Sequence, residues 1–332
     1  MGSSRESPII PDMILLLSNP IDKSTIKIST WLKFFNAPYL YLTELDIYRC
    51  CTLDIDKNIL FVNEHKYSLD DLSSVWIRRP FSMQKTEIIK EVKKMDTDLA
   101  YLLCQETSTI TRYIYDYTKK HALYFLANPF SLGTNKLEEL HVARKVGLNI
   151  PASCVTTNKK DVVDFIHFHS HIITKSLYNA KVFHPWSSSY KMLTNRITDD
   201  DIKNLPESFA PSLIQEEIIK EYDIRAFYLD GDMFSMAILP DSSSFYDVDY
   251  RQYDLSKLRL LPIDLDDKIK GQLRAFMKIM GLMIGCIDLI KSVNGHIYFI
   301  EVNHEGQFDM IDEPCNYGIH KIIAEKLIKF NK

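Results

Sequence analysis

The sequence predicts an α/β protein made of more than one compact unit, and three observations carry that expectation. Buried-strand runs alternate with helix-spaced segments near the N-terminus. Residues 85–126 keep their apolar positions at near-helical spacing. Near the C-terminus, two apolar runs flank Asn294-Gly295, a strong short-range hairpin signal. At 332 residues the chain is long enough for two or three units, and 46% apolar with 25% charged residues is an ordinary globular balance.

Residues 1–12 (MGSSRESPIIPD) lack a cationic-apolar signal pattern and read as an added leader before a start at Met13. Met13–Leu17 reads as a buried strand closed by Asn19-Pro20. Ile28, Leu32 and Phe35 predict a helix over Thr25–Phe35, and strands follow at Tyr39–Leu42, Asn58–Val62 and Val75–Ile77. Ile88, Val92, Met95, Leu99, Leu102 and Leu103 make 85–126 helix-rich. Asn128-Pro129 breaks the pattern, so an N-terminal domain is expected over 13–127. A helix at Asn135–Val146 closes on Gly147, a C-cap residue. Strands at 152–157 and 171–176 flank a helix at Lys160–Phe168, and 178–196 has the aromatic and serine-rich composition of a hairpin or lid. These fill a central domain, 128–212. The last domain, 213–332, begins with two strands to 239. A polar loop (240–257), a helix at Lys268–Met280, the hairpin Gly285–Asn303 and a final helix at Tyr317–Phe330 follow.

Composition excludes several classes of function. A net charge of −4 and a pI near 6.2 do not suit a chain whose main partner is nucleic acid or an anionic membrane. No apolar run approaches the roughly 18–20 residues that span a bilayer. The six cysteines form no CxxC pair and read as reduced thiols of a cytoplasmic protein.

The hairpin GCIDLIKSVNGHIYFIEVN carries the chemistry. With Asn294-Gly295 as a two-residue type I′ turn, Val293 pairs with His296, and counting outward sets Ile290 opposite Phe299 and Asp288 opposite Glu301. Asn303 then shares the face of Glu301, because side chains alternate with period two. Directly opposed carboxylates repel. A divalent cation between them would offset that, and Asp, Glu and Asn offer the hard oxygens that Mg²⁺ prefers. The alternative is a strand end where both acids face water.

Asp288 followed by Glu301-Val302-Asn303 resembles the D…ExN metal signature of ATP-grasp ligases, and QEEIIKEYDIRAFYLDG (215–231) resembles their adenine hinge and the strand after it. Val75-Trp76-Ile77-Arg78-Arg79-Pro80, DVDYR (247–251) and EVNHEGQF (301–308) resemble the graspetide synthetases within that fold: microviridin ligases and grasp-with-spasm maturases that macrocyclise ribosomal peptides. The likeness runs from Met13 to the C-terminus and is greatest to the chryseoviridin type. It implies an N-terminal pre-ATP-grasp domain, then central and C-terminal ATP-grasp domains with ATP bound between them.

The resemblance also assigns roles. Lys136 and Lys175 match the phosphate-binding lysines, Gln215, Glu216, Glu217 and Ile218 the adenine hinge, and Asp223 the ribose-binding acid. Arg225 and Arg251 match arginines facing the γ-phosphate and the reacting carboxylate; with Lys175 they form the expected catalytic set. Asp288, Glu301 and Asn303 would hold Mg²⁺. Arg78 and Arg79 would meet an acidic core peptide. Trp186 and Tyr190 would dock a leader peptide, and Asp199 and Asp200 a basic leader residue. His304 would touch substrate or act as a loop spacer. Each has a plainer reading: a surface lysine or ion pair, a solvated arginine, interdomain packing, or a helix N-cap cluster. Two departures stand out: 181–190 holds no glycine-rich loop, and His304 occupies a position where related ligases often carry proline.

The implied activity is ATP-dependent macrocyclisation. Asp or Glu side chains of a precursor peptide would be phosphorylated, then joined to Thr or Ser as ω-esters or to Lys as ω-amides, by a homodimer. The alternatives are an ATP-grasp ligase joining a free amino acid or small amine to a carboxylate, a scaffold without catalysis, and a structural metal-binding protein. Retention of both lysines and all three metal-site residues argues against the scaffold, and the hinge pattern argues against the last.

Overall fold

The computed structural model describes residues 13–130, 135–178, 182–183, 190–191, 194–239 and 258–331. The chain forms two compact units. One runs to Asn128 and takes in Gly318 onward; the other is Pro129–Tyr317. The final helix, expected in the C-terminal domain, therefore belongs to the first unit, because its apolar face packs on a helix and strand there.

In chain order the first unit holds β1 (Met13–Ser18), α1 (Lys23–Phe34), β2 (Tyr39–Leu42), α2 (Glu44–Cys50), β3 (Cys51–Asp54), β4 (Ile59–Val62), β5 (His65–Ser68), β6 (Leu72–Arg78), α3 (Glu87–Met95), α4 (Thr97–His121) and β7 (Tyr124–Leu126). Its main sheet has the order β2-β1-β6-β7 and is parallel throughout; β3, β4 and β5 form a separate antiparallel sheet. β1 is buried along its whole length, which explains its unbroken apolar run: a parallel strand covered on both faces has no polar side. Ser73 and Ser74 are equally buried, so β6 starts earlier than its apolar core suggests.

A polar knot ties α1 to this sheet. Asp22 caps α1, accepting from Thr25 N at 3.1 Å and Thr25 Oγ1 at 2.6 Å. Its other oxygen pairs with the Arg78 guanidinium, and both side chains are 3% exposed. Trp76 Nε1 donates to Thr25 Oγ1 at 2.9 Å.

The second unit holds α5 (Lys136–Lys145), β8 (Ser153–Asn158), α6 (Lys159–Phe168), β9 (Ile172–Lys175), the short strands β10 (Val182–Phe183), β11 (Tyr190–Lys191) and β12 (Asn195–Arg196), α7 (Asp199–Asn204), β13 (Ser208–Glu216), β14 (Lys220–Leu229), β15 (Asp232–Leu239), β16 (Arg259–Ile263), α8 (Asp267–Ile279), β17 (Ile284–Ser292), β18 (Ile297–Asn303) and α9 (Asp309–Cys315); α10 (Ile319–Lys329) completes the first unit. One sheet runs β12-β9-β13-β8 and a larger antiparallel one β16-β15-β14-β17-β18. One face of the larger sheet buries Ile224, Ala226, Ile287, Leu289, Phe299 and Val302 with Leu140 and Ala143 of α5 and Leu273, Phe276 and Met277 of α8.

The hairpin differs from expectation in a way that matters. Ser292 N–H donates to His296 O, so the turn has three residues, Val293-Asn294-Gly295, with Gly295 at φ +81. That shifts the register by one: Lys291 faces Ile297 and Leu289 faces Phe299. A bulge at Ile300 shifts it back, so Asp288 faces Glu301 after all. The bulge also breaks the alternation. Phe299 joins the apolar core while Glu301 turns to the other face; without it the two would share a face. Among the described residues no helix is long and apolar enough to cross a membrane.

Removing one partner of a buried ion pair strands the other charge. Asp22→Ala is expected to cost about 3–5 kcal/mol of unfolding free energy, read from denaturant unfolding followed by circular dichroism.

Candidate active site

Strand register places Arg225 of β14, Asp288 of β17 and Glu301 of β18 side by side across three strands. Arg225 Nη1 lies 2.7 Å from Asp288 Oδ1, with the two side chains 5% and 18% exposed. Lys136, the first residue of α5 after its Asn135 cap, sends Nζ to within 3.2 Å of Glu301 Oε2 and donates to Ser176 O at 3.1 Å. Lys175, the last residue of β9, points Nζ at Ile300 O, the bulge carbonyl, 3.5 Å away. Each of the opposed carboxylates therefore has its own cation. That answers the repulsion noted from the sequence without a metal, and replaces the picture of two acids facing water.

Burial pushes the Lys175 ammonium down to about 8, and the neighbouring Lys136 charge pushes the same way. The charges of Glu301, Glu139 and Asp288 oppose the shift. A lysine placed so deep, with a second lysine nearby, is suited to meeting a polyanion: an incoming phosphate would restore the charged form.

Asn303 is next to Cys286 in the register and shares the Glu301 face; its Oδ1 accepts from Glu305 N at 3.0 Å. Two carboxylates and a carboxamide, all hard oxygens, fit a cation that takes its remaining ligands from phosphate and water, which is the habit of Mg²⁺. They do not fit a cation that demands nitrogen or sulfur, and among the described residues no cluster of three or more His, Cys, Asp and Glu side chains could hold one.

The hinge between β13 and β14 is partly committed. Glu216 N–H donates to Ala152 O and Glu217 N–H to His171 O, both at 2.9 Å. Among the described residues the Ile218 N–H finds no partner, which leaves it as a donor for a ligand. The Gln215 side chain is buried and bonded to Ser153 Oγ at 2.8 Å. Glu217 takes a forked pair of bonds from Arg196, Nε to Oε2 at 2.7 Å and Nη2 to Oε1 at 2.5 Å. Asp223 lies 2.8 Å from Lys220 Nζ.

Other expected residues fall elsewhere. Arg78 is neither solvated nor at the surface; it is buried against Asp22. Arg79, half-buried, takes the left-handed conformation at φ +49. Asp199 and Asp200 open α7 behind the cap Thr198. Asp201 completes the capping box and Asp200 pairs with Lys203, so the acidic run is a helix start. Arg251, Trp186 and the Tyr190 side chain lie outside the described residues. His304 is no loop spacer: its side chain is 9% exposed, with Nε2 3.2 Å from Glu139 Oε1. Glu139 was not anticipated. The signal was its place three residues after Lys136, on the same helical face.

No protein-family model matches the chain, and no curated protein matches it. Solved structures do. A Chryseobacterium gregarium RiPP-associated ATP-grasp ligase, in complex with ADP and a leader and core peptide, is 24% identical, covering 96% of this chain and 97% of its own, with a TM-score of 0.80. The macrocyclase MdnC from Microcystis aeruginosa, bound with precursor peptide MdnA, is 24% identical over 96% of this chain and 99% of its own, at 0.74. The ATP-grasp ligase PsnB, complexed with minimal precursor, Mg and ADP, is 18% identical over 99% and 100%, at 0.73. The chain has the mixed α/β fold of the ATP-grasp ligases.

Lys175 has a stability consequence of definite sign. Its folded-state value lies below the unfolded 10.5, so the unfolded chain binds more protons between about pH 8 and 10.5. The burial penalty is present in full below pH 8 and relieved as pH rises through that window. Lys175→Met is expected to raise stability at pH 7 by on the order of 3 kcal/mol and to flatten the climb between pH 8 and 10. Equal stability–pH profiles for the two proteins would contradict the burial argument.

Proposed function

We propose that this chain is an ATP- and Mg²⁺-dependent ligase that macrocyclises a ribosomal precursor peptide. The observation that supports it most is the charged row in the second unit: Arg225–Asp288 and Lys136–Glu301 pairs beside buried Lys175, in a fold whose solved relatives hold ADP, Mg and precursor peptides. On this reading a peptide Asp or Glu carboxylate attacks the γ-phosphate, forming an acyl phosphate and releasing ADP. A Thr, Ser or Lys side chain then displaces phosphate and closes an ω-ester or ω-amide ring.

The residues divide the task. Lys136 and Lys175 neutralise the phosphates, and the Ile218 N–H serves the adenine edge. Asp223 is the candidate for the ribose hydroxyls. Arg225 presents a planar fork that can bridge phosphate and carboxylate oxygens, a role shared with Arg251. Asp288, Glu301 and Asn303 would hold Mg²⁺, which would supply positive charge to offset that of the phosphates. Arg79, Trp186, Tyr190 and His304 remain the candidates for peptide contact. We further read the protein as a cytoplasmic homodimer, which light scattering after gel filtration would test.

Glu301→Gln keeps the side-chain shape and removes a charge. It is expected to abolish ATP turnover while circular dichroism stays that of the parent; full turnover would remove the metal assignment. Mass spectrometry of a candidate precursor incubated with enzyme and ATP tests the substrate. Each ring closed removes the mass of one water. ADP formed with free amino acids, and an unchanged mass with every plausible precursor, would favour the amino-acid ligase.

A further inference from the structure

Resting on the Mg²⁺–nucleotide reading, we propose that Glu139 is the positioning residue of the metal site: from α5 it fixes the backbone between Glu301 and Asn303, and with it the direction of both ligand side chains. Glu139 is 1% exposed. Its Oε2 accepts from Val302 N at 3.2 Å, and its Oε1 lies 3.2 Å from His304 Nε2. Val302 is the residue between the two ligands. In a pleated strand the orientation of one peptide sets the side chains on either side of it, so the 302 amide is the point from which both ligands can be fixed at once.

The strand needs such a hold. β18 is the edge of its sheet, and the bulge at Ile300 interrupts the ladder immediately before the ligands. α5 supplies the hold with one face: Lys136 reaches Glu301, and Glu139, one turn on, accepts from the Val302 N–H. A single rigid helix thus sets both the phosphate cation and the ligand strand.

Folding alone does not call for a carboxylate here. A neutral amide would satisfy the Val302 N–H, and burying a carboxylate costs several kcal/mol. A carboxyl side chain buried at that depth, one helical turn from Lys136, fits a role in the site.

The test is calorimetric binding of ADP at graded Mg²⁺ concentrations to the whole protein, with thermal melting alongside. Groups that orient metal ligands typically alter metal affinity about 10- to 100-fold when removed. Glu139→Met is expected to raise the Mg²⁺ concentration at half-saturation by that factor while Mg²⁺-free ADP affinity holds. Glu139→Gln, which keeps the acceptor for Val302, should rescue most of it, leaving a rise of about threefold to tenfold. Should Glu139→Met fail to fold, Glu139→Gln decides alone: a rise in that range supports the role, and an unchanged half-saturation overturns it. A lower Tm with unchanged Mg²⁺ half-saturation in folded Glu139→Met assigns Glu139 to the fold only and overturns the proposal. Wild-type binding of ADP without any Mg²⁺ dependence overturns the metal reading together with it.

Discussion

The second unit is organised around two carboxylates held directly opposite each other at the edge of a sheet. Asp288 and Glu301 are tolerable there because Arg225 and Lys136 come from different elements to meet them. Every neighbouring feature serves that arrangement. The Asn135 cap starts α5 where Lys136 is needed, β9 ends where its last residue reaches the bulge carbonyl, and β14 runs beside β17 in the register that aligns Arg225 with Asp288. The opposite face of the same sheet is an apolar core against α5 and α8. The charges are thereby held on a surface stiffened from behind, so the site can be positioned in advance of any ligand.

Much of this was legible in the sequence because it follows from short-range patterns. The β1 run and the Asn135 and Gly147 helix limits depend on residues close in the chain, whereas the expected pairing of Asp288 with Glu301 stands only because the longer turn and the bulge offset each other. The parts that were not legible depend on distant partners. Arg78 looks like a solvated strand end until Asp22 is placed beside it, 56 residues away. His304 looks like a spacer until Glu139 is seen 3.2 Å from it. The last helix gives an amphipathic pattern, but only tertiary contacts reveal that it joins the first unit.

The charged residues also divide by how they are satisfied. Asp22–Arg78 is closed, with both groups consumed by each other and by α1. The Asp288–Glu301 row is less closed: among the described residues Lys175 makes a long contact to a carbonyl, and its charge is held against a desolvation penalty. That contrast separates a pair that fastens a fold from a lysine buried at an energetic cost.

The turn and the bulge carry a lesson for comparing chains of this kind. A two-residue turn without a bulge, and a three-residue turn with one, separate Asp288 from Glu301 by the same number of residues. A sequence can pass from one form to the other by substitution alone, with no insertion or deletion to mark the event. Between the two forms Phe299 changes sides of the sheet while the acids stay in place. Gapless correspondence through this hairpin therefore does not guarantee that matched positions look toward the same environment, and hydrophobic residues displaced by one place before a shared acid are the trace such a change would leave.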